Sequence, residues 1–125
     1  MGRGDERAGM EDSWFTGFAD ELAECLVDAG RCADICERLL QDVQRDGDAA
    51  TQKQVVDAVV APTAVARVLI DMIEQPPEFV LAAARLCRDT SRDAAEALRG
   101  LDAAQAILAL ETCAQSCDRL LDAAR

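Results

Sequence analysis

The chain has 125 residues, enough for about one domain whose core needs no covalent staples. Half of them are hydrophobic but only 3% are aromatic, so Ala, Leu, Val, Ile and Cys must fill that core, a palette suited to closely spaced helices rather than sheets. A formal charge of −11 repels nucleic acid and anionic membrane, and the lack of histidine excludes imidazole catalysis and every metal site that includes a histidine.

No hydrophobic run approaches the ~20 residues that span a bilayer, and no apolar segment follows the N-terminal charges as in a secretory signal. The expected compartment is a reducing cytoplasm. There, six cysteines in one small domain are expected as free thiols rather than structural disulfides.

Residues 1–12 are polar, glycine-containing and aperiodic, which predicts a disordered tail ahead of a folded unit over 13–125. Arg3-Gly4-Asp5 spells an adhesion tripeptide, read here as coincidence. Asp12 or Ser13 can cap a first helix over about 14–44. Steps of four and three along it select Phe18, Leu22, Cys25, Ala29, Cys32, Cys36, Leu39 and Val43, all uncharged. Asp20, Glu21, Glu24, Asp28, Arg31, Glu37 and Arg38 fall between them. At 3.6 residues per turn such a stripe is the buried seam of an amphipathic helix, and three thiols lie on it. Trp14, Phe15 and Phe18 at its start are expected to pack on the bundle end.

Arg45-Asp46-Gly47-Asp48 predicts a turn, with Gly47 terminating the helix. A second helix over about 49–74 carries Val55, Val59, Pro62, Ala66, Leu69 and Ile73 on its stripe. Pro62 removes a backbone donor, which predicts a kink or break near Val60–Ala61. Gln75-Pro76-Pro77 stops that helix, and Pro77 suits the first turn of a third, over about 78–99. Its stripe is Val80, Ala84, Cys87, Ser91, Ala94 and Leu98, and Gly100 ends it. Asp102 is placed to cap a fourth helix, over about 102–124, with Ala106, Leu110, Cys113, Cys117, Leu120 and Ala124 inward. Four amphipathic helices on short connectors predict an all-α fold, an antiparallel up-down-up-down four-helix bundle. The same comb on every helix has the look of an internal repeat.

Counting about 1.5 Å per residue from the end that holds Trp14, Glu78 and Ala124 puts Cys25, Cys87 and Cys113 in one layer, with Cys117 about one turn nearer that end. Cys32 and Cys36 fall about one to two turns further away. The expected arrangement is a four-thiol group, Cys25, Cys87, Cys113 and Cys117, with a two-thiol step beyond it. Cys32/Cys36 and Cys113/Cys117 are i, i+4 pairs with Cβ atoms about 5–6 Å apart, whereas a disulfide wants about 3.5–4.5 Å. A metal ion bonded to two thiolates at about 2.3 Å holds their sulfurs about 4 Å apart, within rotamer reach. The spacing therefore favours a metal over a disulfide. A thiolate-only donor set selects Cu(I) first and Zn(II) second. The other reading keeps all six cysteines as small apolar filler, for free cysteine is among the most buried residue types.

These residues resemble the cysteine-rich four-helix-bundle copper-binding or copper-storage proteins, whose helices carry C-x3-C-x2-C combs. The similarity covers about residues 15–125. It is carried by Cys32-Ala-Asp-Ile-Cys36, by Glu78-Phe79 with Cys87 downstream, and by Cys113-Ala-Gln-Ser-Cys117. It implies Cu(I) held between thiolates inside the bundle, and self-association of bundles into a homo-oligomer. The chain departs from the family pattern at Ala29, Leu39, Ala84, Ser91, Ala94, Leu98, Leu110, Leu120 and Ala124, where that pattern has cysteine. The second helix has no thiol, with Pro62 and Ala66 where a C-x3-C pair would sit, and Met72 alone offers a soft ligand outside the tail.

The expected function is a cytosolic Cu(I)-binding bundle of reduced capacity, with Cys25, Cys32, Cys36, Cys87, Cys113 and Cys117 as ligands. The alternative is a metal-free structural or protein-interaction bundle on the same scaffold. A thiol redox enzyme fits least, because a reactive cysteine needs exposure and a nearby cation or helix N-terminus. No nucleophile or phosphate-loop motif supports another enzyme class.

Overall fold

The small-residue stripes draw four helices together in the computed structural model, which describes residues 17–125. α1 spans Ala19–Asp46, α2 Ala49–Asp71, α3 Pro77–Ala97 and α4 Ala104–Ala123, with a 3-10 turn at Met72–Glu74. No strand occurs among the described residues. The expected tail with its tripeptide, the Asp12 or Ser13 cap, and Trp14 and Phe15 lie outside those residues.

α1 packs against α2 and α4, and α3 packs against the same two, which makes a four-helix bundle. Cross-helix pairs run in opposite order along neighbouring helices. Asp34 and Glu37 of α1 meet Arg67 of α2, and further along α1 the Gln44 carbonyl accepts from Gln52. Glu24 and Asp28 of α1 meet Arg119 and Ser116 of α4. Arg88 and Arg99 of α3 meet Asp118 and Glu111.

The stripes become the core. Phe18, Leu22, Cys25, Ala29, Cys32 and Cys36 are buried on α1, with Leu39 and Val43 partly so. Val55, Val59, Pro62, Ala66 and Leu69 are buried on α2. All six stripe residues of α3 and its end are buried, as are Ala106, Leu110, Cys113, Cys117 and Leu120 on or beside the same seam of α4. Leu22, Val80 and Leu120 close the core beyond the thiols at one end, and Leu98 and Leu110 fill it at the other. Burying each such side chain stabilises by about 1.5–3 kcal/mol, and together they keep the sulfur-bearing segment dry.

The ends of the helices show where tertiary contact overrides local signals. Gly47 does end α1, yet with an extended backbone; a Cβ there would come within 2.7 Å of the Val43 carbonyl oxygen. Asp48 caps α2, its carboxylate accepting from Thr51 N at 2.7 Å. Pro62 lies inside α2, which continues through it without a break. Helical geometry gives way to the 3-10 turn after Asp71, which carries Ile73 off the seam to 40% exposure. Gly100, at φ 89°, makes the turn after α3 in the left-handed region. Asp102 does not cap α4: the N-cap is Ala103, drawn inward to 6% exposure, and no side chain bonds the helix start.

Candidate metal centre

α1 supplies Cys25, Cys32 and Cys36, α3 supplies Cys87, and α4 supplies Cys113 and Cys117. Every one is 0% exposed and none is in a disulfide. The helical repeat explains why: each cysteine occupies a seam position where only a small or apolar side chain fits between neighbouring backbones.

The sulfurs form a string. Cys25 Sγ stands 3.5 Å from Cys117 Sγ, and Cys87 Sγ stands 3.6 Å from Cys113 Sγ. Cys87, Cys113 and Cys117 lie within 4.8 Å of one another. Cys32 then reaches both Cys113 and Cys36. The four thiols expected to group are linked as two close pairs, Cys25 with Cys117 and Cys87 with Cys113, and the Cys32/Cys36 step joins them through Cys113. α2 brings no sulfur, but its Thr63 faces Cys36.

Hydrogen bonding among the thiols gives them unequal acidity. Cys117, Cys32 and Cys87 all direct hydrogen bonds at Cys113, which holds its thiol below the ordinary range against the opposing effect of burial. Cys36 is lowered by Cys32, also against burial. The donors move the other way. Cys87 is pushed up to about 12, chiefly by its bond to Cys113. Cys32 is raised by Cys113 and Cys36, and Cys117 by Cys113 and Cys25.

Such a string can hold cations but resists full ionisation without them. Adjacent thiolates in a dry medium repel strongly, so removing several protons requires positive charge between the sulfurs. Bonds of about 2.3 Å to a shared ion set two sulfurs between about 3.8 Å, at a tetrahedral angle, and about 4.6 Å, in line. The closest pairs, at 3.5 and 3.6 Å, need to open by only a few tenths of an ångström to reach that range, and Cys87, Cys113 and Cys117 are close enough together to share an ion. A disulfide needs about 2.05 Å. The donor set therefore fits a soft metal.

Asp28, Ser116 and Thr63 escaped the sequence reading as polar groups beside the seam. Asp28 falls in the polar sector of the α1 pattern, yet it is only 9% exposed, held by the Ser116 hydroxyl, which donates to its carboxylate. Arg119 in turn donates to Ser116 Oγ at 3.0 Å and pairs with Glu24. Ser91 and Thr63 have buried hydroxyls with no hydrogen-bond partner. Ser91 stood on its stripe as a departure from cysteine, which marked its position but not its chemistry.

No helix among the described residues is long and apolar enough to cross a membrane. No curated protein and no solved structure matches the chain. The family model described as copper storage protein matches residues 18–125.

Proposed function

The chain belongs to the copper storage protein family, and from that membership we propose that it sequesters copper as Cu(I) on the thiolates of Cys25, Cys32, Cys36, Cys87, Cys113 and Cys117. One observation carries the reading: six buried sulfurs from three helices line up with their closest pairs 3.5 and 3.6 Å apart. On loading, each ligand thiol gives its proton to solvent and its sulfur bonds copper in place of hydrogen. Sulfur-only donors without imidazole or an accessible carboxylate favour Cu(I) over Zn(II).

At two thiolates per ion, six thiols hold about three ions. Capacity is small because α2 contributes none and the seam ends in leucine on both sides. Free thiols of this kind belong in a reducing compartment, which supports a cytoplasmic location. The protein performs no reaction on its cargo; it keeps a redox-active ion out of water.

Anaerobic titration of reduced protein with Cu(I), in competition with a chromophoric chelator, tests the reading. Saturation near about three equivalents is expected. Saturation below about one equivalent, or loss of the ion to a weak chelator, overturns it. A protein that takes up no copper, and that folds equally well with all six cysteines changed to alanine, would instead be a metal-free scaffold.

A further inference from the structure

The outward face of α2 has no charge in its middle. Between Asp57 and Arg67 the helix carries no charged residue on any side, although 30% of the chain is charged. Val56, Val60 and Val68 are 37%, 52% and 45% exposed, and Ala64 among them is exposed as well. Solvent-facing helix positions are ordinarily polar, so such a span on an acidic protein marks a surface that is covered in solution.

The charges that flank the span identify what covers it. Lys53, Asp57, Arg67 and Asp71 are all exposed and follow in the order plus, minus, plus, minus. Set a second α2 antiparallel against the first, centred at the level of Pro62. Lys53 then lies level with Asp71 of the second copy and Asp57 with Arg67, while Val56 meets Val68 and Val60 meets Ala64. A slip of one turn in one direction brings Lys53 level with Arg67, and in the other Asp57 level with Asp71. Parallel pairing in register sets each charge beside its own copy. Like charges so placed are destabilising, so one arrangement is selected.

Self-complementarity of this kind is what a two-fold contact requires and what a contact with a different protein does not. Two chains of formal charge −11 repel on average, whereas the four flanking charges of α2 sum to zero. Lys53 pairs within its helix with Asp57 at 2.7 Å, and Arg67 pairs with Glu37 at 2.6 Å; Asp71 has no ion pair among the described residues. Both pairs are well exposed and weakly held, free to be shared across an interface.

We propose that the outer face of α2 is a dimer interface, covered by a second copy of this chain with the two α2 helices antiparallel and centred at Pro62. The cysteines lie on the other three helices, so this assembly does not depend on copper.

Sedimentation equilibrium of the reduced, metal-free full chain tests it, with circular dichroism as the control for folding. Wild type should run at an even multiple of the 13.4 kDa chain mass. Lys53→Glu sets two carboxylates level across the interface, Asp71→Lys sets two amines level, and Val60→Glu puts charge at its centre. A two-fold contact repeats each change twice, so every single variant should associate at least about tenfold more weakly. Helicity should be unchanged, because all three side chains are exposed. Lys53→Glu combined with Asp71→Lys restores opposite charges and should associate nearly as wild type does. A single-chain mass for wild type, single variants that associate as tightly as wild type, or a double variant no tighter than the singles overturns the inference.

Discussion

Cys25 and Cys117 are 92 residues apart in the chain, yet their sulfurs stand 3.5 Å apart inside the bundle. That proximity exists only while α1 and α4 are docked, so the unfolded chain offers copper no equivalent site and binding is linked to folding. Loading should raise the melting temperature by roughly 5–10 °C, allowing for weaker capture by thiols of the unfolded chain. Scanning calorimetry of the reduced protein with and without Cu(I) checks this. An unchanged transition would place any bound copper outside the folded core.

The string also ranks its members. Cys113 lies at the junction of Cys117, Cys87 and Cys32, whereas Cys36 lies at one end. Cys113→Ala should therefore remove most of the copper bound, and Cys36→Ala the least. Both substitutions should cost only about 1 kcal/mol in the empty protein, because a small buried group is lost from each. Copper stoichiometry, with urea midpoints as the control for folding, separates the two variants. Equal losses at both positions would argue for independent sites.

Alkali should weaken the empty bundle. Cys87 is pushed up to about 12 from an ordinary 9.0, first by its bond to Cys113, and Cys32 and Cys117 are raised as well. The folded state keeps protons there that the unfolded chain releases above about pH 9. Their contribution to stability is complete below that pH and is lost as pH climbs towards 12. Cys113 and Cys36, lowered in the folded state, are ionised in both states above about pH 9 and add no slope in that window. Urea midpoints of reduced, metal-free protein should fall from about pH 9 upward, and less steeply for Cys87→Ala. A flat profile in wild type would contradict the thiol hydrogen bonding.

Asp28 and Ser116 form the polar seam between α1 and α4, the hydroxyl donating to a carboxylate that is 9% exposed. Ser116→Ala strips that carboxylate of its partner and should cost about 1.5–3 kcal/mol. Adding Asp28→Ala should restore part of the loss, since no buried acceptor then remains. Denaturant unfolding of the single and double variants measures the coupling. Strictly additive effects would show that the two side chains act independently.

Much of this was legible in the chain because small apolar residues recur at steps of four and three. That period fixed the seam of each helix, and helical rise from the ends put Cys25, Cys87 and Cys113 in one layer, with Cys117 about one turn nearer one end. The joining of Cys32 to Cys113 was not legible, because it depends on how far α1 and α4 slide past each other. Asp28 reads as a surface residue until Ser116 of another helix is seen beside it. Ile73 and Ala103 depart from expectation at helix ends, where a 3-10 turn and the pull of the core override local pattern. The unpaired state of Ser91 and Thr63 is a matter of rotamer, which no spacing reveals.

The most direct measurement is X-ray absorption at the copper edge on reduced protein loaded with Cu(I) and desalted. The account predicts a first shell made of sulfur alone, at about 2.3 Å, that disappears when the six cysteines are changed to alanine. A first shell of nitrogen or oxygen, or copper that washes away on desalting, would contradict it.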